Sequence, residues 1–269
     1  MPELPEVETT ARGIRPHLNG QTIEHIIIRN RSLRWPISHA VDSLQGQRIE
    51  AVYRRGKYIL MPVGKATLIW HLGMSGSMRV LPNNSPVEKH EHVEMQMTNG
   101  QALKFRDPRR FGSLLYTEDD PLEHRLLRKL GPEPLSDEFN VDYLHQACRK
   151  RSAPIKSLIM DSHQVVGVGN IYASEALFSA GILPTREAGS ISKKRLSKLV
   201  DTIKQTLAAA IEQGGTTLQD FSQVDGKPGY FKQSLNVYGV RDGCPVCGKS
   251  IRQITQNQRS SYFCSKCQT

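Results

Sequence analysis

The sequence predicts an α+β protein: an antiparallel β-sandwich or barrel with a leading helix, a helical second half, and a small C-terminal module held by cysteines. Three observations carry this. Between Gln21 and Thr117, short runs of alternating apolar and polar residues are separated by turn pairs. Beyond Gly131 the apolar period lengthens to three and four residues, as on one face of a helix. Finally, four of the five cysteines stand in the last 26 residues as two Cys-x-x-Cys pairs.

Taken in order, a helix is expected over about Glu6 to Leu18. Strands follow at Thr22 to Arg29, Ile49 to Val63, Ala66 to Leu72, Ser77 to Leu81, His92 to Thr98, Ala102 to Arg106 and Ser113 to Thr117. Asn83-Asn84 and Asn99-Gly100 mark turns between them, the second a strong hairpin signal. Gly131-Pro132-Glu133-Pro134 is too rich in proline to continue a helix and reads as a hinge. Helices are then expected over Val141 to Lys150, Ile155 to Asp161 and Asn170 to Ser179. A longer one carries Leu196, Leu199, Val200, Ile203, Leu207 and Ile211 before a Gly214-Gly215 stop. Gly214 to Tyr230 has little regular pattern and reads as a functional loop or a linker.

The 269 residues suffice for two domains and a short module. With 36 Lys+Arg against 26 Asp+Glu, the net charge of +10 favours a polyanionic partner such as nucleic acid, although an acidic membrane surface or simple solubility also fits. No apolar run approaches the ~20 residues of a spanning helix, and the N-terminus lacks the basic and apolar regions of a signal peptide. Clustered cysteines do not resemble a secreted disulfide framework, so a reducing cytoplasm is expected.

Removal of Met1 from Met1-Pro2-Glu3-Leu4-Pro5-Glu6 would leave a proline secondary amine as the free N-terminus. An α-amino group has a pKa of roughly 8, against about 10.4 for lysine, so part of it is neutral near pH 7. A secondary amine that attacks an aldehydic sugar carbon gives an iminium with no N–H to lose, which keeps its charge and acts as an electron sink. Glu3 and Glu6, one helical turn apart, could serve that amine in acid/base work. The plainer reading is a helix start, with proline and acidic residues in the first turn.

Cys244-x-x-Cys247 and Cys264-x-x-Cys267, sixteen residues apart, form a pattern that can share one tetrahedral zinc ion, with a disulfide pair as the alternative. Four thiolates leave no open position, so the expected cofactor is one structural Zn²⁺. Between the pairs, Arg252, Gln253, Gln256, Asn257, Gln258 and Arg259 make a polar hairpin suited to a DNA groove and phosphates. Cys148 is left over as a buried thiol.

Arg106-Asp107-Pro108-Arg109-Arg110-Phe111-Gly112 places two guanidinium groups beside a ring in an inter-strand loop. It could wedge a base stack, or could hold an Arg–Asp pair with Phe111 in the core. In His71-Leu72-Gly73-Met74-Ser75-Gly76, Met74 is a second wedge candidate or a buried strand end. Arg149-Lys150-Arg151 with Lys156 forms a basic cluster for phosphates, or a solvated patch. Gly167-Val168-Gly169-Asn170 resembles an anion cradle opening a helix, with Asn170 as its cap, but has no nucleotide fingerprint. In Gly56-Lys57-Tyr58, Lys57 stands in a strand-rich segment and is by itself only an exposed side chain.

As an ordered set from Pro2 to Cys267, these motifs together with Gly167-Val168-Gly169-Asn170-Ile171-Tyr172-Ala173 resemble the bacterial formamidopyrimidine-DNA glycosylase family. The resemblance implies an N-terminal catalytic β-sandwich (1–131), a helix-two-turn-helix domain with a lesion-recognition loop (132–235) and a zinc finger (236–269), with DNA in the cleft between domains. It implies a bifunctional glycosylase and AP lyase of base excision repair that removes oxidised purines from duplex DNA. Pro2 would be the nucleophile and Glu3 would handle protons at the opening sugar ring. Lys57 matches the family's residue for β-elimination and Arg259 that for δ-elimination. His90, Arg109 and Lys150 fall on DNA-binding positions; Met74, Arg109 and Phe111 on the wedge; Lys57 and Asn170 on phosphate contacts. Thr216 to Tyr230 corresponds to the flap over the extruded base, where Gln219 replaces a basic residue of some relatives. The implied partner is double-stranded DNA with oxidised bases or abasic sites, bound by a monomer in the bacterial cytoplasm at the nucleoid, with no membrane.

Three other readings exist. The related endonuclease VIII type removes oxidised pyrimidines, but its usual opening has glycine where this chain has Leu4. A catalytically silent damaged-DNA binder would need none of Pro2, Glu3 and Lys57. A zinc-ribbon transcription or RNA-binding module leaves that N-terminal set without purpose.

Overall fold

The computed structural model describes residues 2–216, 224, 229–240 and 243–269. Two compact units emerge, one of Met1–Lys129 with Gln213–Tyr230 and the other of Leu130–Glu212 with Phe231–Thr269. Among the described residues no helix is long and apolar enough to cross a membrane.

The first unit opens with α1 (Leu4–Leu18). The helix starts two residues earlier than expected because Glu3 and Glu6 form a reciprocal capping box that holds the first turn. Eight antiparallel strands follow: β1 (Ile23–Ile28), β2 (Tyr53–Arg55), β3 (Tyr58–Val63), β4 (Ala66–His71), β5 (Ser77–Pro82), β6 (Glu91–Met97), β7 (Gln101–Arg106) and β8 (Ser113–Thr117). They make two four-stranded sheets, ordered β1-β6-β7-β5 and β2-β3-β4-β8. Ile49 to Val63, expected as one strand, is instead a hairpin: Gly56 adopts φ 58°, which turns the chain at Gly56-Lys57 and pairs Arg55 with Tyr58.

Inward residues of both sheets, among them Met61, Leu68, Trp70, Met78, Val93, Met95 and Phe105, share one core. Trp70 and Phe105 meet edge to face at 5.4 Å across it. Val7, Ala11, Ile14 and Leu18, spaced for one helical face, bury α1 in the same core.

In the second unit, α2 (Val141–Cys148), α3 (Ile155–Ile159), α4 (Asn170–Ala180) and α5 (Lys193–Glu212) pack around Phe139, Leu158, Tyr172, Leu177 and Leu199. Helix α4 is buried almost all round and ends on left-handed Gly181. Helix α2 stops at Cys148, short of Lys150, because Arg149 leaves the helical region at ψ 132° and Lys150 turns to φ 56°. A hairpin of β9 (Arg252–Gln256) and β10 (Arg259–Phe263) completes this α+β chain. Cys148 is a buried free thiol, which burial pushes up to about 11 and leaves unreactive.

Candidate active site and DNA-contact residues

Pro2 and Glu3 are buried at the start of α1. The Glu6 carboxyl accepts from the Glu3 backbone N–H at 2.7 Å and, through its other oxygen, from the Thr216 N–H at 2.8 Å. One acidic side chain therefore fixes both the backbone next to Pro2 and the first residue of the 216–230 segment, which closes through a Thr216–Tyr230 bridge. Gly229 lies so close to this base that a Cβ there would sit 2.3 Å from the Gly215 carbonyl oxygen. The part of the expected flap that includes Gln219 lies outside the described residues.

Lys57 stands in the β2–β3 turn. Arg54 braces that turn, donating to the Gly56 carbonyl at 2.9 Å and to Glu8 on α1 at 2.7 Å. Glu8 also accepts from Arg12. Burial works against its charge, but the Arg54 and Arg12 guanidinium groups together hold its carboxyl below the usual range. A helix-borne ion pair thus sets the hairpin that carries Lys57 against the helix that starts beside Pro2.

At the end of β4, His71 is held against Tyr58, ring centroids 4.9 Å apart, and its Nδ1 accepts the Gly73 N–H at 3.0 Å. Desolvation first, and then the positive charges of Lys57 and Arg34, push His71 down to about 4, so its ring is neutral at pH 7. The unfolded chain, with histidine near 6.5, binds a proton that the folded chain refuses. Stability therefore falls as pH drops from about 6.5 towards 4, by at most about 3 kcal/mol from this group. In His71→Gln that part of the acid destabilisation should disappear, as read by urea unfolding at pH 4.5 and 7; an unchanged pH slope would refute the assignment.

Met74 (36% exposed) and Phe111 (45% exposed) project from neighbouring loops, and the Arg109 guanidinium lies over the Phe111 ring at 5.0 Å. With Leu33, Arg34 and His71 they border a cavity of about 610 Å³. Phe111 is thus not a core residue, and Met74 is not a buried strand end. Nor does Asp107 pair with Arg109 or Arg110: its two oxygens are taken by Ser75 Oγ at 2.6 Å and the Gly112 N–H at 2.7 Å. His90, in the left-handed region at φ 72°, stands at the entrance to β6, its carbonyl accepting from the Asp107 N–H.

The second unit holds the remaining candidates. Lys150 is exposed beyond α2. Lys156, expected in the same surface cluster, is buried: its Nζ donates to Asn170 Oδ1 (2.7 Å), Ser261 Oγ (2.8 Å) and the Ser260 carbonyl (3.1 Å). Three acceptors replace water around the ammonium, and the lysine joins α3 and α4 to β10. Asn170 is not the cap of α4 as expected; Gly169 takes that position. Freed from capping, the Asn170 amide donates to Ser260 O at 2.9 Å and Tyr238 Oη at 3.2 Å. Arg259 follows a tight turn in which Asn257 and Gln258 are both left-handed. It shares a cavity of about 240 Å³ with Lys156, Asn170 and Asn257.

The ligand atoms of Cys244, Cys247, Cys264 and Cys267 lie within 4.8 Å of one another, with sulfur pairs at 3.5 and 3.8 Å. All four are free cysteines. A tetrahedron with Zn–S bonds of about 2.3 Å has edges of about 3.8 Å, so the cluster fits one zinc ion.

Sequence reading missed Thr216, Ser75 and Glu175. Glu175, buried in α4, accepts four hydrogen bonds, from Asn236 N (2.8 Å) and Nδ2 (3.1 Å), Val237 N (3.0 Å) and Tyr238 N (2.8 Å), and so anchors the segment leading to the zinc hairpin. A carboxyl flanked by apolar residues on a helix with no other charge was the available signal.

Comparison with known proteins agrees with this geometry. Residues 1–114 match the formamidopyrimidine-DNA glycosylase N-terminal domain, 130–222 the formamidopyrimidine-DNA glycosylase H2TH domain, and 244–269 the zinc finger found in FPG and IleRS. The chain is 58% identical over 271 residues to a formamidopyrimidine-DNA glycosylase of Stutzerimonas stutzeri, covering all of both chains. It is similar to the MutM (Fpg) protein of Thermus thermophilus, at TM-score 0.88 and 38% identity over 99% of this chain and 98% of that one. A Lactococcus lactis Fpg mutant in complex with Fapy-dG-containing DNA superposes at TM-score 0.92 and 33% identity, covering 99% of each chain. The helix-two-turn-helix and zinc-finger expectations are met, and the chain belongs to the formamidopyrimidine-DNA glycosylase family.

Proposed function

We propose that this protein is a DNA glycosylase and AP lyase of base excision repair that releases oxidised purines, 8-oxoguanine and formamidopyrimidines, from duplex DNA. The observation that carries the reading is the N-terminal arrangement: Pro2 is followed at once by buried Glu3, whose backbone is pinned by Glu6 at 2.7 Å. With Met1 removed, the Pro2 amine attacks C1′ of the damaged nucleotide, the C1′–N bond to the base breaks, and the base leaves with a proton. Glu3 supplies or relays the proton that opens the sugar ring. The resulting iminium acidifies the C2′ proton. Its removal expels the 3′ phosphate, a second elimination expels the 5′ phosphate, and water releases the sugar fragment from Pro2.

Lys57 assists the first elimination and Arg259 the second. Glu6, with both oxygens held by backbone N–H groups, acts as a positioning group. His90, Lys150, Asn170 and Lys57 contact phosphates, while Met74, Arg109 and Phe111 fill the emptied stack. Zinc holds the hairpin that presents Arg259. The bacterial cytoplasm, at the nucleoid, is the matching compartment.

Gel analysis of duplexes carrying 8-oxoguanine, dihydrouracil or an abasic site tests the reading. Cleavage of the first and third, with both flanking phosphates left on the DNA ends, is expected. Preference for dihydrouracil would favour endonuclease VIII-type specificity, and binding without cleavage a silent damage binder.

A further inference from the structure

We infer that Ser75 and Asp107 form a buried clasp that locks the loops bearing Met74, Arg109 and Phe111 into one rigid wedge, making both of them positioning residues for base extrusion. This rests on the glycosylase reading above. Ser75 and Asp107 are almost inaccessible to solvent. The Ser75 hydroxyl donates to Asp107 Oδ1 at 2.6 Å and accepts the Arg109 backbone N–H at 3.2 Å. The other carboxyl oxygen takes the Gly112 N–H at 2.7 Å, next to Phe111. Asp107 also binds through its main chain: its carbonyl accepts from His92 Nε2 at 2.8 Å and from Arg110 N at 3.2 Å, and its N–H donates to His90 O at 3.0 Å. Thus one buried residue is bonded to the Ser75 side chain in the Met74 loop and to the backbone of the Arg110–Gly112 turn and of His90.

The backbones themselves are in contact. A Cβ at Gly73 would stand 2.3 Å from the Gly112 nitrogen, and one at Gly112 would stand 2.8 Å from the His71 carbonyl oxygen. Arg110 (φ 57°) holds a left-handed conformation that a non-glycine residue rarely keeps without support, whereas Gly73 (φ 65°) supplies the turn that lets the two backbones approach. The clasp is what holds these turns closed while the exposed tips of Met74 and Phe111 press between stacked bases. Removing the Ser75 hydroxyl leaves Asp107 Oδ1 without that donor in a buried place and releases the Arg109 N–H from the clasp, and the loops separate.

The test compares Ser75→Ala, Ser75→Thr and Asp107→Asn with wild type and with Phe111→Ala. Three quantities are read: single-turnover excision of 8-oxoguanine from duplex, cleavage of a preformed abasic duplex, and fluorescence of 2-aminopurine placed beside the lesion. Ser75→Ala should slow excision by about tenfold or more and delay the unstacking signal to match, with abasic cleavage within about threefold of wild type. Ser75→Thr, which keeps the hydroxyl, should recover excision, and Asp107→Asn, which keeps the shape but one fewer acceptor, should fall between. Wild-type excision and fluorescence in folded Ser75→Ala and Asp107→Asn, alongside selective loss in Phe111→Ala, would overturn the clasp alone. Equal loss on both substrates with an unaltered fluorescence signal would also overturn it, as would folded Asp107→Asn at wild-type rates if Ser75→Ala does not fold. If the wild type cleaves neither substrate, the glycosylase reading itself has failed.

Discussion

A protein carrying an uncleaved N-terminal extension loses both base release and strand cleavage, by at least about a thousandfold, while its fold persists. The reason is electronic. Joined to a preceding residue, the Pro2 nitrogen becomes an amide whose lone pair is delocalised into the carbonyl, so it is neither basic nor nucleophilic. Pro2 is buried ahead of α1, and the capping box that starts the helix uses Glu3 and Glu6, not the proline nitrogen, so secondary structure survives the extension. Circular dichroism should therefore match the processed protein, and a C-terminal extension should be tolerated unless it disturbs the zinc knuckle. Glu3→Gln sharpens the point: the amide keeps the size and an acceptor oxygen for the cap but cannot transfer the proton. DNA affinity is retained and base release falls by about a hundredfold to ten-thousandfold.

Cys244→Ser or Cys267→Ser weakens duplex binding strongly while the β-sandwich unit stays folded. The apolar cluster around the site is small, built on Phe178, Val237, Cys244 and Cys264 with Ile251 and Tyr262 at its margin, and cannot hold the hairpin alone. Metal coordination supplies about 10 kcal/mol or more to such modules, so its loss unfolds β9 and β10. Arg259 is then no longer presented, and Lys156 and Asn170 lose the Ser260 carbonyl they both bind. Duplex affinity is expected to drop by about tenfold or more in filter binding at moderate salt. Normal affinity in a zinc-free variant would separate DNA binding from the hairpin.

Most of the architecture was legible in the sequence because its signals are local. The alternating runs, the long apolar period ending at Gly214-Gly215 and the paired cysteines all depend on neighbours within a few residues. The Gly56-Lys57 turn was hidden inside a continuous strand-like run, and only the positive φ of Gly56 reveals the break. Long-range partners were not legible. Lys156 looked like one of four surface cations, yet residues 104 and 105 positions later in the chain wrap its ammonium. Asp107 looked like a partner for the arginines two and three places on, whereas Ser75, 32 residues earlier, takes its carboxyl. Sequence proximity could not decide between pairing and wedge there, because the turn through left-handed Arg110 leaves both arginines exposed while the carboxyl is buried. At the N-terminus the residue types alone favoured a plain helix start, and only the ordered set of motifs along the chain pointed to a nucleophile; the fastening of Glu6 to Thr216, 210 residues away, left no mark in the sequence.

Borohydride trapping tests the central claim most directly. Sodium borohydride added during turnover on an 8-oxoguanine duplex reduces the iminium to a stable amine and leaves protein and DNA covalently joined. Peptide mapping of that adduct should place the DNA on Pro2, the residue that follows Met1. An adduct on Lys57, or an equal yield from protein whose N-terminus is blocked, would contradict the account.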